Sequence, residues 1–184
     1  MARRHALPAS ARASAAARVQ AELTALVRRR RPALVTAYVP VGGEPGGPDL
    51  PDALVAALPP GAALLLPVLL PDLDLDWGRY TGRDTLVAAG RGLREPPGVR
   101  WGVDAVAEAD LVVVPALAVD RYGIRLGRGG GSYDRALARV PVTTVTVALL
   151  HDGELLDRLP AEPHDRPVRA VVTPGGGVQP TGCR

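Results

Sequence analysis

The sequence predicts an α/β domain built on a mostly parallel sheet, and three observations carry that reading. Short apolar runs rich in β-branched residues recur along the chain. The strongest is LVVV at 111–114, an uninterrupted run of the kind that belongs to parallel strands covered on both faces. Helical patterns and loops separate these runs, as in a repeating β-α order. The length, 184 residues with 47% hydrophobic side chains, suits one domain with one sizeable core.

Taken in order, Ala9–Arg30 reads as a helix, with Ala, Val, Leu and Arg at helical spacing, Ser10 placed to cap it and Pro32 to stop it. ALVTAYV at 33–39 is a short buried strand, and the loop VGGEPGGPD leads into a helix over 51–58. AALLL at 62–66 is the second strand, ended by Pro67. Residues 72–83, around Trp77 and Tyr80, read as polar and irregular, and 85–101 as short pieces and turns. A helical turn over 105–110 precedes the 111–114 strand; a glycine-rich loop and a helix over 132–138 follow it. The last strands fall at 142–149 and 170–173, and the tail 175–184, GGGVQPTGCR, reads as disordered. No repeat or linker divides residues 1–174, which form one domain on this reading.

Composition narrows the function classes. Aromatics are 3% and Phe is absent, so Leu, Val and Ala must build the core. All 22 basic side chains are Arg, but a net charge of +3 is too small and dispersed to call for a nucleic-acid partner. Cys183 is the sole cysteine, which excludes an intramolecular disulfide and a cysteine metal cluster and fits a reducing compartment, the cytoplasm. The apolar run at 61–70 is short and broken by Pro67, too little to span a bilayer, and no signal peptide is apparent. The expected species is a monomer acting on small molecules, with neither nucleic acid nor membrane as partner.

The chemistry concentrates in DRYGIRLGRGGGSYDRAL at 120–137. Gly127, Gly129, Gly130 and Gly131 leave bare backbone whose N–H groups can turn toward an anion. A helix starting near Ser132 would aim its positive end at the same point. Arg125 and Arg128 add charge-assisted bonds to phosphate oxygens, and Asp134 could hold a divalent cation bridging them. Neither G-x-x-x-x-G-K-[ST] nor G-x-G-x-x-G after a first strand is present. The segment therefore reads as a phosphate cradle of another type, the alternative being a flexible glycine loop ahead of a helix.

The stretch DLVVVPALAVDRYGIRLGRGGGSYDRAL resembles the signature of the 5-formyltetrahydrofolate cyclo-ligase family, also called 5,10-methenyltetrahydrofolate synthetase. AYVPVGGEPG, LLLP, GLREP with Glu95 and Pro96, and LPAEPHDRPVRAVVTP resemble further family segments in the family's order, so the likeness covers about residues 4–174. It implies a single three-layer α/β/α domain and the conversion of 5-formyltetrahydrofolate to 5,10-methenyltetrahydrofolate with ATP and Mg²⁺.

The resemblance also assigns roles. Arg125, Leu126, Gly127, Arg128, Gly129, Gly130, Gly131, Ser132 and Tyr133 would cradle the triphosphate, with Arg128 and Tyr133 serving catalysis. Asp134 and Asp165 would hold Mg²⁺, Glu44 would bond the pterin's ring donors, and Val39 would lie against the folate. His164, adjacent to Asp165, lacks a metal-ligand spacing and reads as a surface residue; Trp77 and Trp101 read as packing residues. Three features depart from the family pattern. Ser132 replaces an aromatic, Gly153 or Glu154 stands where Gln is frequent, and the first-helix K-x-x-L-R that touches ATP has no match. Its cations would come from an in-frame extension upstream of Met1, the route we favour, or from Arg3 or Arg4; without them ATP should bind weakly. Two rivals to the cyclo-ligase are a non-catalytic homologue that keeps nucleotide or folate, and an isomerase or acyl-CoA transferase of related architecture. The last would need a general base, and no clear candidate is present.

Overall fold

The computed structural model describes residues 4, 8–162 and 164–182, with the side chain of Arg91 left out. Seven strands form the main sheet: β1 (Leu34–Thr36), β2 (Ala63–Leu69), β3 (Leu75–Arg79), β6 (Leu111–Pro115), β9 (Val145–Leu149), β11 (Ala170–Thr173) and β12 (Gly177–Pro180). Their order is β12-β11-β9-β6-β1-β2-β3. The five inner strands are parallel, and an antiparallel strand closes each edge. The long helix α1 (Ala9–Arg30) and the shorter α2 (Leu50–Ala57) cover one face; α3 (Ser132–Arg139) and a 3₁₀ turn at Val103–Glu108 cover the other.

Alternation along the strands assigns side chains to the two faces. Leu111 and Val113 of β6 join Val19, Leu23, Leu26 and Val27 of α1, four positions on one helical stripe. Val112 and Val114 join Ala136 and Leu137 of α3. Both sets are buried, so the continuous apolar run LVVV is the mark of a central strand in a three-layer α/β/α arrangement, as the sequence predicted.

Several local expectations are corrected. Ser10 does not cap α1; Pro8 occupies the cap position and no side-chain bond is made there. Pro67 does not end β2, which runs on to Leu69 and pairs Pro67 with Trp77. The reason is geometric. The Leu65 carbonyl accepts from Ala37 on the β1 side, so position 67, two residues on, turns its nitrogen the same way. There β1 has already ended, and no ladder bond is forgone. The supposedly irregular stretch 72–83 contains β3, where Trp77 is 1% exposed. Trp101, by contrast, is 47% exposed and is not a core residue.

The tail also differs from expectation. Residues 177–180 form β12 against β11, with Thr173 opposite Gly177 across a three-residue turn. Gly177 has φ +62°, and Gly176 N–H donates to Thr173 Oγ1 at 2.9 Å, so these glycines build a hairpin turn. Cys183 and Arg184 lie outside the described residues. No helix among the described residues is long and apolar enough to cross a membrane.

Beside the main sheet lie a hairpin, β4 (Val87–Ala88) with β5 (Arg94–Glu95), and a small sheet of β7 (Ala118–Asp120), β8 (Arg125–Leu126) and β10 (Leu155–Leu156). Asp120, 1% exposed, holds the small sheet's turns. Its Oδ1 accepts from the N–H groups of Tyr122 and Ile124, and its Oδ2 from Leu159 N–H at 3.0 Å.

The far end of α3 is anchored by Asp74, buried ahead of β3, whose carboxylate receives Arg139 Nη1 at 3.1 Å and Nη2 at 2.6 Å. The Arg139 hydrogen bond is the chief reason that the Asp74 pKa is held below its ordinary value. A depressed carboxylate pKa stabilises the fold above the unfolded-state value, and that contribution disappears as pH falls through the folded-state value. Asp74→Asn should therefore lower stability by about 1.5–3 kcal/mol at neutral pH. The difference from the parent should shrink below about pH 4 in acid titrations of urea unfolding, because protonation removes the same charge.

Candidate active site

A cavity of about 750 Å³ opens at the carboxyl ends of β1, β2 and β6, where ligands bind in open parallel sheets. The segments leaving β1 supply Tyr38, Val39, Val41 and Glu44; β2 supplies Pro67 and Leu69; the stretch after β6 supplies Ala116 and Leu117. The glycine loop between β8 and α3 forms another wall, and Leu159, Pro160, Glu162, His164 and Asp165 close the rim. Val39, Glu44, Asp134, Asp165 and every residue from Arg125 to Tyr133 line this one cavity.

The loop's geometry follows from its composition. Gly129 and Gly131 have φ of +83° and +68°, backbone that side-chain-bearing residues rarely adopt. A Cβ at Gly127 would lie 2.8 Å from Arg125 Nη1. Gly131 stands at the head of α3, and no side chain caps that helix. Ser132, Tyr133 and Asp134 of the first turn line the cavity, so the N–H groups that the helix leaves unpaired start at its wall. Arg135 braces the loop by donating to the Gly130 carbonyl at 3.1 Å and to Leu73 O at 2.7 Å.

Two ion pairs cross the cavity wall. Arg125, buried beneath the loop, donates Nη2 to Asp134 Oδ1 at 2.7 Å, and its guanidinium lies 5.7 Å from the centroid of the Tyr133 ring. Arg128 donates Nη2 to Glu44 Oε1 at 2.9 Å; Arg128 is half exposed, whereas the Glu44 side chain is 11% exposed. The glycine loop and the turn at 41–44 thus meet through one contact. The Glu44 turn closes on itself: Val41 N–H donates to Glu44 Oε2 at 3.0 Å, and Glu44 N–H to Val41 O at 3.1 Å.

Burial, then the nearby Glu44 carboxylate, push the phenol pKa of both Tyr133 and Tyr38 well above the usual value. Both remain protonated at neutral pH and so carry a hydrogen to donate rather than act as bases. The buried Tyr38 hydroxyl has no protein partner among the described residues. Asp165 Oδ2 accepts from Glu162 N–H at 2.7 Å, and its Oδ1 lies 3.9 Å from His164 Nε2.

The sequence matches the model of the 5-formyltetrahydrofolate cyclo-ligase family over residues 1–174. The chain belongs to that family. Within it, the chain is 50% identical over 149 residues to the 5-formyltetrahydrofolate cyclo-ligase of Mycolicibacterium smegmatis, covering 78% of this chain and 75% of the relative. The NMR structure of the 5,10-methenyltetrahydrofolate synthetase of Aquifex aeolicus superposes with a TM-score of 0.78 at 28% identity, over 97% of this chain and 87% of that one. A Mycoplasma pneumoniae 5,10-methenyltetrahydrofolate synthetase shares the fold, with a TM-score of 0.70 at 16% identity over 92% and 91% of the two chains. The isomerase and transferase reading falls with this cyclo-ligase membership.

Two features of this cyclo-ligase family member escaped the sequence reading. Tyr38 lies beside Val39 in the cavity, and the hairpin side chains Leu93 and Arg94 form part of its wall. A tyrosine next to a predicted contact was the only available signal for the first; the second depends on a hairpin that sequence reading resolved only into short pieces. The alternative source of phosphate-binding cations is also corrected for Arg4. That side chain is 5% exposed and its guanidinium is occupied by Glu154 and the Ala116 carbonyl, outside the cavity lining. Arg3 lies outside the described residues.

Proposed function

We propose that the chain converts 5-formyltetrahydrofolate to 5,10-methenyltetrahydrofolate, using ATP and Mg²⁺, by phosphorylating the formyl oxygen. The observation that carries the reading is the meeting of Arg128 and Glu44 across one cavity. A basic, glycine-rich phosphate cradle and a carboxylate suited to a pterin's N–H donors lie within hydrogen-bond reach of each other. Two substrates that must exchange a phosphoryl group need such adjoining sites.

In the proposed reaction the formyl oxygen attacks the γ-phosphorus, the bond to the bridging oxygen breaks, and ADP departs with that electron pair. The N10 nitrogen then adds to the activated formyl carbon and loses its proton. Phosphate leaves with the former formyl oxygen, and the N5–C–N10 amidinium remains. Backbone N–H groups from Arg125 to Tyr133 hold phosphate oxygens, and Arg128 stabilises charge on the group in transfer. Glu44 accepts from the pterin, Val39 packs against it, and the neutral Tyr133 phenol donates.

Asp134 and Asp165, both on the cavity wall, would hold the magnesium ion, with substrate phosphates and water completing its coordination. The ion would neutralise phosphate charge. We propose a cytoplasmic monomer that needs neither nucleic acid nor membrane.

Purified protein given ATP, Mg²⁺ and 5-formyltetrahydrofolate should form the methenyl product, followed by its near-ultraviolet absorbance, with one ADP per turnover. Binding of both substrates with no product at any magnesium concentration would instead identify a non-catalytic homologue.

A further inference from the structure

Arg4 is among the most deeply buried charges of the described residues at 4% exposure, and it is not itself part of the cavity lining. Its Nε and Nη2 each lie 2.7 Å from an oxygen of Glu154, a bidentate pair, and Nη2 also donates to Ala116 O at 2.6 Å. Glu154 Oε2 accepts in turn from His151 N–H at 2.8 Å. His151, itself 9% exposed, places Nε2 2.9 Å from the Gly43 carbonyl. A carbonyl only accepts, so Nε2 carries the hydrogen. Gly43 precedes Glu44, and a Cβ there would sit 3.2 Å from the Arg4 Cβ, so the turn also packs directly on Arg4.

We infer that Arg4, Glu154 and His151 are positioning residues for the Glu44 turn. The chain of bonds fixes the Gly43 carbonyl relative to the Ala116 floor of the cavity, and Glu44 is thereby held where its carboxylate meets the substrate. The pairing needs the planar guanidinium, which bonds both carboxylate oxygens and the carbonyl together; a lysine ammonium cannot reproduce that fork. The inference rests on the proposed folate role of Glu44, and the test separates the two.

Folate KM, ATP KM and kcat are measured for Glu44→Gln, His151→Leu, His151→Gln, Arg4→Lys and Arg4→Met. His151→Leu keeps the Arg4–Glu154 pair but removes the donor to Gly43, and its folate KM should rise about fivefold, the loss of one hydrogen bond, with ATP KM unchanged. His151→Gln supplies an amide donor and should restore most of that loss. Arg4→Lys should raise folate KM nearly as far as Arg4→Met. A general loss of folding lowers the active fraction without splitting the two KM values, and the His151 variants preserve the test if those at Arg4 do not fold. Folate KM raised in Glu44→Gln but unchanged in His151→Leu overturns the positioning role alone. Folate KM unchanged in Glu44→Gln overturns the substrate reading and, with it, this inference.

Discussion

Arg128→Ala should lower kcat by about 10²- to 10³-fold, or about 2.7–4 kcal/mol of transition-state stabilisation, if its guanidinium meets charge that develops on the transferring phosphoryl group. The fold should scarcely notice the change. Arg128 is half exposed, and its bond to Glu44 is a solvent-screened pair worth about 0–1 kcal/mol. The thermal midpoint should therefore stay near the parent value while turnover collapses. An interaction made only in the transition state lowers kcat and kcat/KM together. Removing Arg128 also releases the Glu44 carboxylate from its ion pair, so folate affinity should hold or rise slightly. Stopped-flow turnover and direct folate titration separate the two effects. A variant that loses folate binding but keeps kcat would move Arg128 from the phosphoryl group to the folate site.

Asp134→Ala is expected to cause the largest loss of stability. Arg125 is 8% exposed overall, and Asp134 is its one carboxylate partner among the ion pairs of the described residues. Without it the guanidinium retains a 3.4 Å contact to Pro115 O and the Tyr133 ring face. Breaking a buried pair from one side costs about 3–5 kcal/mol, which denaturant unfolding should register directly. Asp134→Asn keeps an oxygen to accept from Arg125 but loses the charge. It should unfold closer to the parent and should show a raised magnesium requirement. Asp165→Asn should share the magnesium effect with little loss of stability, because its carboxylate serves a local turn with Glu162. An unchanged magnesium titration in both Asn variants would remove these residues as metal ligands.

The strand at Leu111–Pro115 and the helix at Ala9–Arg30 were legible because burial writes itself into local periodicity. The glycine loop was legible because left-handed backbone at Gly129 and Gly131 requires that residue type. Edge elements were harder to read. In β3, the alternation of Leu75, Asp76 and Trp77 is the period-two signal of a half-covered strand, yet the surrounding aspartates give the stretch the composition of a loop. At β12 the glycines that suggested disorder instead close a hairpin whose existence depends on β11 as partner. The pairs Arg128–Glu44 and Arg4–Glu154 span 84 and 150 residues, and no local pattern encodes separations of that size. The candidate site was therefore readable as a set of residues but not as a set of contacts. The contacts distinguish the cations that face the cavity from Arg4, which braces it from outside.

If the formyl oxygen itself receives the phosphoryl group, the fate of that oxygen reveals it most directly. 5-Formyltetrahydrofolate labelled with ¹⁸O in the formyl group is turned over once with ATP and Mg²⁺, and the released phosphate is examined for the label. Phosphorylation of the formyl oxygen forms a P–O bond that survives when phosphate leaves the cyclised carbon, so each phosphate should carry one ¹⁸O. Methenyl product accompanied by unlabelled phosphate, with the ¹⁸O recovered in water, would contradict the account.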